Sequence, residues 1–358
     1  MLLLAFLIFV WLIITTAKNN KGTHCRSIGA NNNCSGHTMQ RRRPLVVDLI
    51  IYNGEPMLQF RLEYLRSVVD LFIIVEAKMS FSGMKKVHYD LDTKNCTIIQ
   101  KLRDEDKLLE VRLEALLLPA TFDYQSRRGR NATIDAAWGR EKYLRDYALE
   151  VVRNVTARRR FVLMVTDLDE MPRQDYVALF PDLYNFIGKG LRLEMTSFIY
   201  SFQWQFAIKG NGKWSKPFIM TDESFLKSNW SLSLDELRHQ LPAVYLQDAG
   251  WHCSFCLPVD LLIRKFQSFS HMELNIPRNT NPAWLSDCIL NGWDLLRRDQ
   301  VTIRKHDCSG SPRLPVCDGE DCPSVAQLPF LHLQTCIYDN EGPKLTVDDL
   351  LRRRSQIQ

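Results

Sequence analysis

The sequence predicts an α/β fold in which a mainly parallel central sheet is flanked by helices. Three short apolar runs, 45–51, 71–75 and 161–165, are rich in Val, Ile, Leu and Phe and give way to polar residues. Such runs are typical of strands buried on both faces, as in a parallel sheet covered by helices. Between them apolar residues recur at helical spacing, which is the pattern of strand–helix–strand units.

The elements can be assigned in chain order. Strand 45–51 ends at Asn53-Gly54, and Pro56 follows, where a first helical turn tolerates proline. Apolar residues at helical spacing predict helices over 57–69, 104–118, 138–152 and 176–186. The second of these segments also fits a helix that runs into a strand. The aromatic-rich stretch 191–206 predicts a strand or hairpin, followed by a turn at 210–212.

Composition and charge place the chain among globular proteins that do not bind nucleic acid. It has 358 residues, of which 46% are hydrophobic, and a formal net charge of +5. Its arginines form short, scattered clusters instead of a basic stripe with interleaved aromatic residues, so contacts to a phosphate backbone are not expected. Solvated surface is the simpler account of these clusters.

Three features of the sequence predict that the chain enters the secretory pathway. Residues 1–17 are almost entirely apolar, and all ten cysteines lie beyond them, an even number that suits disulfides in an oxidising lumen. Asn-x-Ser/Thr sequons lie at Asn33, Asn95, Asn131, Asn154 and Asn229. The apolar segment is shorter than the roughly 20 residues that span a bilayer, so a signal anchor and a cleaved signal peptide both stay open.

The predicted organisation is a signal or anchor segment, a stem, one folded domain and a tail. Residues 18–43 are rich in Asn, Lys, Arg, Gly and Ser without apolar periodicity, which indicates a flexible lumenal stem. The folded domain is expected over 44–340. Residues 341–358 are polar and basic, which indicates a peripheral tail.

The acidic sequence Asp167-Leu168-Asp169-Glu170 directly follows the third apolar run. Ligands collect at the carboxyl ends of parallel strands, and side chains two residues apart in an extended chain share a face. Asp167 and Asp169 are therefore predicted to bind one divalent cation together, with a solvated acidic turn as the alternative. A phosphotransferase of the haloacid dehalogenase type would continue with Gly-Thr, and a calcium loop would need further acids at fixed offsets, so both are set aside.

Further candidate site residues lie near other strand ends and in the stretch 244–256. Glu55 and Glu76 follow the first two strands, where each is a candidate for ligand binding or, equally, a helix-terminal charge or paired surface acid. His252 is a candidate metal ligand or phosphate contact, with a hydrogen-bonded core histidine as the alternative. Cys253 and Cys256 have zinc-ligand spacing, but no matching second pair follows, which favours a disulfide in the lumen.

Aromatic residues between 198 and 214 are candidates for carbohydrate contact. Sugars stack on the faces of tryptophan and tyrosine rings, which keeps Tyr200, Trp204 and Trp214 under consideration. An aromatic run at strand spacing is more often part of an apolar core, so packing alone also accounts for these residues.

Four stretches of the sequence resemble glycosyltransferase family 17. They are Asn53-Gly54-Glu55, the run 69–77, the acidic motif extended to Met171-Pro172, and residues 249–256, which read Ala-Gly-Trp-His-Cys-Ser-Phe-Cys. The Gly-Trp-His-Cys-Ser block is the most specific of them, and the likeness runs from about Val46 to about Tyr338. Met171 replaces the Ile expected in an Asp-Glu-Ile-Pro form, a conservative change that leaves the carboxylates intact.

The resemblance implies a nucleotide-sugar-binding domain of the GT-A type. The implied reaction is inverting transfer of N-acetylglucosamine from UDP-N-acetylglucosamine to the core β-mannose of N-glycans, which forms the bisecting β-1,4 branch. The implied location is the Golgi lumen, as a single-pass type II membrane protein, or a secreted form if the N-terminal segment is cleaved. The implied metal is Mn²⁺, which would neutralise the diphosphate as the glycosidic bond breaks.

The resemblance also sorts the candidate residues into roles. The candidate metal ligands are Asp167, Asp169 and His252, and the candidate donor-binding residues are Glu55, Glu76, Asp167 and His252. Inverting transfer needs a carboxylate base for the acceptor hydroxyl, and sequence spacing does not locate it. The shortlist for this base is Asp248, Glu273 and Asp294, each of which also fits a structural role.

Two alternatives to this function stay open at the level of sequence. One is an N-acetylglucosaminyltransferase with a different glycan acceptor, because family membership implies the sugar chemistry more strongly than the hydroxyl that is glycosylated. The other is a lumenal carbohydrate-binding protein without catalysis. Such a protein would keep the aromatic residues and tolerate loss of the carboxylates, so the presence of all three acids in the motif favours an enzyme.

Overall fold

The computed structural model describes residues 43–93, 97–116, 118, 132–156, 159–227, 234–240, 244–305, 346–352 and 354–356. The strands are β1 (Leu45–Tyr52), β2 (Leu71–Ala77), β3 (Leu108–Leu113), β4 (Phe161–Val165), β5 (Glu170–Pro172), β6 (Leu191–Ile199), β7 (Ser201–Ile208), β8 (Lys213–Trp214), β9 (Phe218–Thr221), β10 (Val244–Ser254), β11 (Val301–Lys305) and β12 (Arg354–Gln356). The α-helices are α1 (Met57–Leu65), α2 (Thr97–Asp104), α3 (Ala132–Val155), α4 (Gln174–Leu183), α5 (Asp222–Lys227), α6 (Leu234–Gln240), α7 (Val259–Ser268), α8 (Pro282–Asn291) and α9 (Val347–Arg352). The predicted segment 1–17 and nearly all of the predicted stem 18–43 lie outside the described residues.

Four strands form a parallel half-sheet in the order β3-β2-β1-β4. Alternate residues of β1 pack into two separate apolar clusters, with Val46 and Ile50 on one face and Val47 and Leu49 on the other. Both faces of β1 are therefore covered, which is why its sequence is apolar apart from the buried Asp48. The predicted buried parallel strands 45–51, 71–75 and 161–165 are confirmed.

The other half of the sheet is mixed. β9 pairs antiparallel with β4 and β6, and β7 pairs antiparallel with β6 and β11. β10, in contrast, pairs parallel with β6. The predicted α/β class is confirmed, and the parallel arrangement holds for the half that carries β1 and β4.

Most predicted elements are present with shifted ends. The helices predicted over 57–69, 138–152 and 176–186 correspond to α1, α3 and α4, and the stretch 191–206 corresponds to the hairpin β6-β7. Of the two interpretations of 104–118, the continuous helix is wrong and the strand of the helix-into-strand alternative is confirmed, because α2 ends at Asp104 and the following apolar residues form β3. β3 pairs in parallel with β2, and short apolar runs do not by themselves distinguish a strand from a helix.

β10 places the Gly-Trp-His-Cys block beside the acidic motif. It pairs antiparallel with β5, with His252 opposite Glu170 and Gly250 opposite Pro172. At Gly250 the strands approach so closely that a Cβ would lie 2.2 Å from the carbonyl oxygen of Met171. Because no side chain fits there, a glycine is required for the two motifs to lie next to each other.

The described part of the predicted tail contributes to the same sheet. β12 pairs antiparallel with the first residues of β10, with Val244 opposite Gln356. Within these described ranges, no helix combines the length and apolar character needed to cross a membrane.

Candidate active site

A cavity of about 410 Å³ opens at the carboxyl ends of β1, β4 and β10. This edge of the sheet is where parallel strands commonly bind ligands, and it is where the sequence predicts a site. The charged side chains that line it are Glu55, Glu141, Arg145, Asp167, Asp169, Lys216, Arg238 and Lys265. Four of these are cationic and four are anionic, so the charges of this lining set balance.

Asp167 is held between two arginines. Arg145 of α3 donates a hydrogen bond to Oδ1 at 2.8 Å, and Arg238 of α6 donates one to Oδ2 at 3.0 Å. Burial would raise the pKa of Asp167, but the charges of the two arginines outweigh it and hold the pKa well below its ordinary value. Asp167 is therefore ionised and both of its oxygens are in use.

Asp169 faces a lysine on one side and a histidine on the other. Its Oδ2 accepts a hydrogen bond from Lys265 Nζ at 3.2 Å, and its Oδ1 lies 4.0 Å from His252 Nε2. Burial lowers the pKa of His252 more than the nearby carboxylates raise it, so the ring is neutral at pH 7. Its Nδ1 is buried and has no hydrogen-bond partner among the described residues, which is an uncommon state for a polar atom.

The predicted three-ligand metal set is partly assembled. In the portion of the chain that the structure describes, no group of three or more His, Cys, Asp or Glu side chains is arranged to hold a metal ion. Asp169 and His252 do lie together, and a carboxylate with a neutral imidazole fits the chemistry of Mn²⁺. Asp167 would have to release an arginine before it could join them, and its role as a ligand stays a prediction.

Glu170, the third acid of the motif, supports the other two. It is fully buried and accepts hydrogen bonds from Trp214 Nε1 at 2.6 Å, Arg238 Nη2 at 2.9 Å and the backbone N–H of Asp167 at 2.6 Å. Burial raises the pKa of Glu170 to about 7, against the opposing charge of Arg238. The residue thus fixes both the arginine that holds Asp167 and the Trp214 ring that stacks 4.4 Å from His252.

The backbone of the acidic motif is held by a fully buried arginine of α1. Arg61 forms a two-pronged ion pair with Asp48 of β1, with hydrogen bonds of 2.8 and 2.7 Å. It also donates to the carbonyl oxygen of Glu170 at 2.9 Å and to the hydroxyl of Thr166. Arg61 therefore ties the first strand to the loop that carries the carboxylates.

The two donor-binding candidates at strand ends fall in different places. Glu55 lines the cavity, accepts a hydrogen bond from the backbone N–H of Asn53 at 3.0 Å, and has a pKa raised by burial. Glu76 is fully buried outside the lining and accepts hydrogen bonds from the backbone N–H groups of Asp90 and Leu91. The structure brings Glu55 to the site and gives Glu76 a role in the local fold.

The shortlisted bases do not line the cavity. Asp248 is half-buried and pairs with Lys213 at 2.9 Å. Asp294 closes a turn by accepting hydrogen bonds from the backbone N–H and the guanidinium group of Arg298. Glu273 alone of the three touches a lining residue, because its Oε1 lies 2.7 Å from Nδ1 of His271.

One of the three aromatic candidates lies at the site. Trp214 lines the cavity, whereas Tyr200 and Trp204 do not. The Tyr200 hydroxyl and the Trp204 indole N–H each donate a hydrogen bond to a backbone carbonyl oxygen, at 2.8 and 3.0 Å. These two rings are therefore structural, as the core interpretation predicts.

Cys253 and Cys256 form a disulfide, which confirms that interpretation over a zinc site. Both residues line the cavity. The backbone N–H of Cys253 donates to the carbonyl oxygen of Asp169 at 2.9 Å, so the disulfide-closed loop is attached to the acidic motif.

Sequence reasoning missed the cationic wall of the cavity. Arg145, Arg238 and Lys265 lie on three different helices, and Lys216 lies just before β9. Arginine and lysine are usual on solvated helix faces, so their positions carried no signal. Arg145 also follows Glu141 by one helical turn and donates to it at 2.7 Å, a spacing that predicts only a surface ion pair.

The chain matches a protein-family model over most of its length. The model for glycosyltransferase family 17 matches residues 18–298, a stretch that contains every residue lining the cavity. A comparison with curated proteins found no significant match. Because the family model covers well over half of the chain, the protein belongs to glycosyltransferase family 17 and its reaction is glycosyl transfer.

Proposed function

We propose that the protein transfers N-acetylglucosamine from UDP-N-acetylglucosamine to the core β-mannose of N-glycans, with inversion and with the help of Mn²⁺. The family match supports glycosyl transfer from a nucleotide sugar to a glycan. The observation that supports metal assistance is the proximity of Asp169 and His252 inside a cavity whose formal charges balance, and the donor sugar and the acceptor follow from the resemblance of the Gly-Trp-His-Cys-Ser block.

The charge balance argues for a cation that enters with the donor. A nucleotide diphosphate adds negative charge, and burying charge without compensation is costly. The lysines and arginines of the lining set are equal in number to its acids, so the set carries no formal net charge to offset the diphosphate. Asp169 and His252 would hold a divalent ion, which would supply the missing positive charge for the leaving diphosphate.

Lys216 is the lining cation best suited to contact the diphosphate directly. Arg145, Arg238 and Lys265 form ion pairs with acids of the cavity, whereas Lys216 has no ion-pair partner among the described residues. Burial lowers the pKa of Lys216, and nearby arginines lower it further, so an added phosphate group stabilises its charged form.

The Trp214 ring offers a surface for a sugar or a base. It stacks on His252 at 4.4 Å and is held in place by its hydrogen bond to Glu170. A ring whose orientation is fixed by a hydrogen bond binds a stacked ligand with little loss of side-chain entropy. The metal candidate and this stacking surface therefore adjoin, as a nucleotide sugar requires.

Transfer is tested with the purified protein, Mn²⁺, UDP-N-acetylglucosamine and a mixture of released N-glycans. We expect a product heavier by one N-acetylhexosamine, formed with the metal and lost when the metal is chelated. Linkage analysis should place the new sugar on the 4-hydroxyl of the core β-mannose. The matched control is an acceptor in which that hydroxyl is blocked, which should give no product.

The outcomes separate the parts of this proposal. Transfer of N-acetylglucosamine to another hydroxyl would contradict the proposed acceptor and support the proposed donor. Transfer from a different nucleotide sugar would replace the donor. Undiminished transfer after complete chelation would contradict the role of Mn²⁺, and no transfer from any donor to any glycan would contradict the function as a whole.

We also propose a lumenal location, in the Golgi, with residues 1–17 as membrane anchor or as a cleaved signal. The disulfide between Cys253 and Cys256 supports an oxidising compartment. One sequon asparagine, Asn154, is described and lies exposed on the last turn of α3.

In secretory cells, Asn154→Gln is expected to reduce the apparent mass of the protein by one N-glycan, because Asn154 is exposed and followed by Val155-Thr156. The measurement is gel mobility before and after enzymatic deglycosylation. The matched control is Asn185→Gln, since Asn185 is also exposed but belongs to no sequon. Equal mobility of Asn154→Gln and wild type would contradict modification at this residue.

A further inference from the structure

A histidine and a glutamate form a pair at the mouth of the cavity. His271 and Glu273 lie between α7 and α8, and the Glu273 carboxylate accepts a hydrogen bond from Nδ1 of the ring at 2.7 Å. His271 lines the cavity, while its side chain is 46% exposed. The ring is therefore within reach of a bulky ligand that enters from solvent.

The position of this ring is fixed by its surroundings. The His271 ring packs edge-on against Trp138 of α3, with centroids 4.5 Å apart, and next to Phe269 at 5.5 Å. The 3₁₀ turn that carries Glu273 is anchored by the buried amide of Asn279, which donates to the carbonyl oxygen of Leu274 at 3.0 Å. A residue held in this way meets the requirement that a proton-accepting group be preorganised.

The acids that line the cavity are less available to accept a proton. Both oxygens of Asp167 accept hydrogen bonds from arginines, Glu141 accepts from an arginine, and Asp169 accepts from a lysine. Glu55 accepts from a backbone N–H and keeps one oxygen for other contacts. With Nδ1 used by Glu273, the second ring nitrogen of His271, Nε2, has no partner among the described residues.

We propose that His271 is the base that accepts the proton of the acceptor hydroxyl, and that Glu273 is a positioning residue that orients the ring. A carboxylate on one imidazole nitrogen fixes the tautomer and stabilises the imidazolium that forms when the other nitrogen takes a proton. Glu273, predicted from the sequence as a possible base, then acts through His271 instead of on the substrate.

The step balances with the substrates alone. The acceptor oxygen forms a bond to the anomeric carbon of the donor sugar while the bond from that carbon to the diphosphate oxygen breaks. The electron pair of the broken bond leaves with the nucleotide diphosphate. The hydroxyl proton moves to Nε2 of His271, and the Nδ1–H of the ring stays hydrogen-bonded to Glu273.

This assignment rests on the sugar-transfer function proposed above, so its test starts from wild-type protein with measured transfer. His271→Ala is expected to lower kcat by at least about 100-fold, the usual size of general-base catalysis. The KM for the donor and the affinity for UDP with Mn²⁺ should not change. Added imidazole is expected to restore part of the activity of this variant, in proportion to its concentration.

Two further variants make the test specific. Glu273→Gln keeps an acceptor oxygen for Nδ1–H but removes the charge, so it is expected to lower kcat by less than His271→Ala does, with unchanged UDP binding. The matched control is His88→Ala, because His88 is exposed and does not line the cavity. It should keep wild-type kcat.

The results that would overturn the proposal are distinct from failure of the function. A wild-type kcat in His271→Ala, or a folded His271→Ala that imidazole does not rescue at all, removes His271 as the base; a loss of kcat in Glu55→Gln would then point to Glu55. If His271→Ala no longer binds UDP, its loss of activity is uninformative and Glu273→Gln becomes the test. A wild-type kcat in Glu273→Gln would then contradict the proposed roles of both residues. A wild-type protein that transfers no sugar contradicts the proposed function itself.

Discussion

Asp169→Asn is expected to abolish sugar transfer while leaving the fold intact. The substitution removes the charge that lies 4.0 Å from His252 Nε2 and 3.2 Å from Lys265 Nζ. It leaves in place the hydrogen bond that the backbone N–H of Cys253 donates to the carbonyl oxygen of residue 169. Loss of one preorganised electrostatic group typically lowers kcat by about 100-fold or more. The measurements are steady-state kinetics, thermal melting and calorimetric binding of UDP with and without Mn²⁺.

The binding measurement gives this prediction a second readout. If Asp169 holds the metal, the Mn²⁺-dependent part of UDP binding should disappear in Asp169→Asn and the metal-independent part should remain. The matched control is Asp175→Asn, an acid of α4 that pairs with Arg173 away from the cavity. Full activity of Asp169→Asn, or unchanged Mn²⁺ dependence of binding, would remove Asp169 from the site.

Arg61→Ala is expected to destabilise the protein by about 3–5 kcal/mol, because it leaves the Asp48 carboxylate buried without a partner. It also frees the carbonyl oxygen of Glu170 and the hydroxyl of Thr166 from their hydrogen bonds. The free energy of unfolding is measured by urea denaturation, with transfer activity assayed in parallel. We expect activity to fall at temperatures where the variant is still folded, since the motif loop loses its anchor.

A neighbouring arginine provides a control for Arg61→Ala, because replacing it with alanine removes the same charge at the end of the same helix. Arg66, at the end of the same helix, pairs with Glu105 on the surface, and its side chain is 37% exposed. Surface pairs contribute about 0–1 kcal/mol, so Arg66→Ala should have a small effect. The double variant Arg61→Met with Asp48→Leu should recover part of the lost stability, because no buried charge is then unpaired. Equal costs of Arg61→Ala and Arg66→Ala would contradict the buried-pair argument.

The fold could be predicted where one residue pattern dominates. The strands around Val47 and Leu163 are apolar on both faces, a pattern that suits little besides a covered parallel sheet. For the segment 104–118 the sequence left a helix and a helix running into a strand open, because its apolar residues fit both spacings, and pairing with β2 decides for the strand. Such pairing joins distant parts of the chain, which local spacing does not report.

The sequence predicted the carboxylates of the site but not its arginines and lysines. Asp167 and Asp169 stand out because acids directly after a buried strand are uncommon and chemically specific. Arg145 and Arg238 come from helices far along the chain, and only the fold shows that both reach Asp167. His271 was overlooked because a lone histidine in a loop carries no pattern, and its significance comes from Glu273 beside it and the cavity in front of it.

The strand order also dictates when the active site can form during synthesis. β1 leaves the ribosome early, but the edge that pairs with β4 stays open until Phe161 has been added. β10, which supplies His252, begins only at Val244. This edge of β1 is thus unpaired while residues 53–160 are synthesised, a state that favours aggregation and chaperone binding. A chain that stops before β10 lacks His252 and Lys265, so it cannot form the complete catalytic centre.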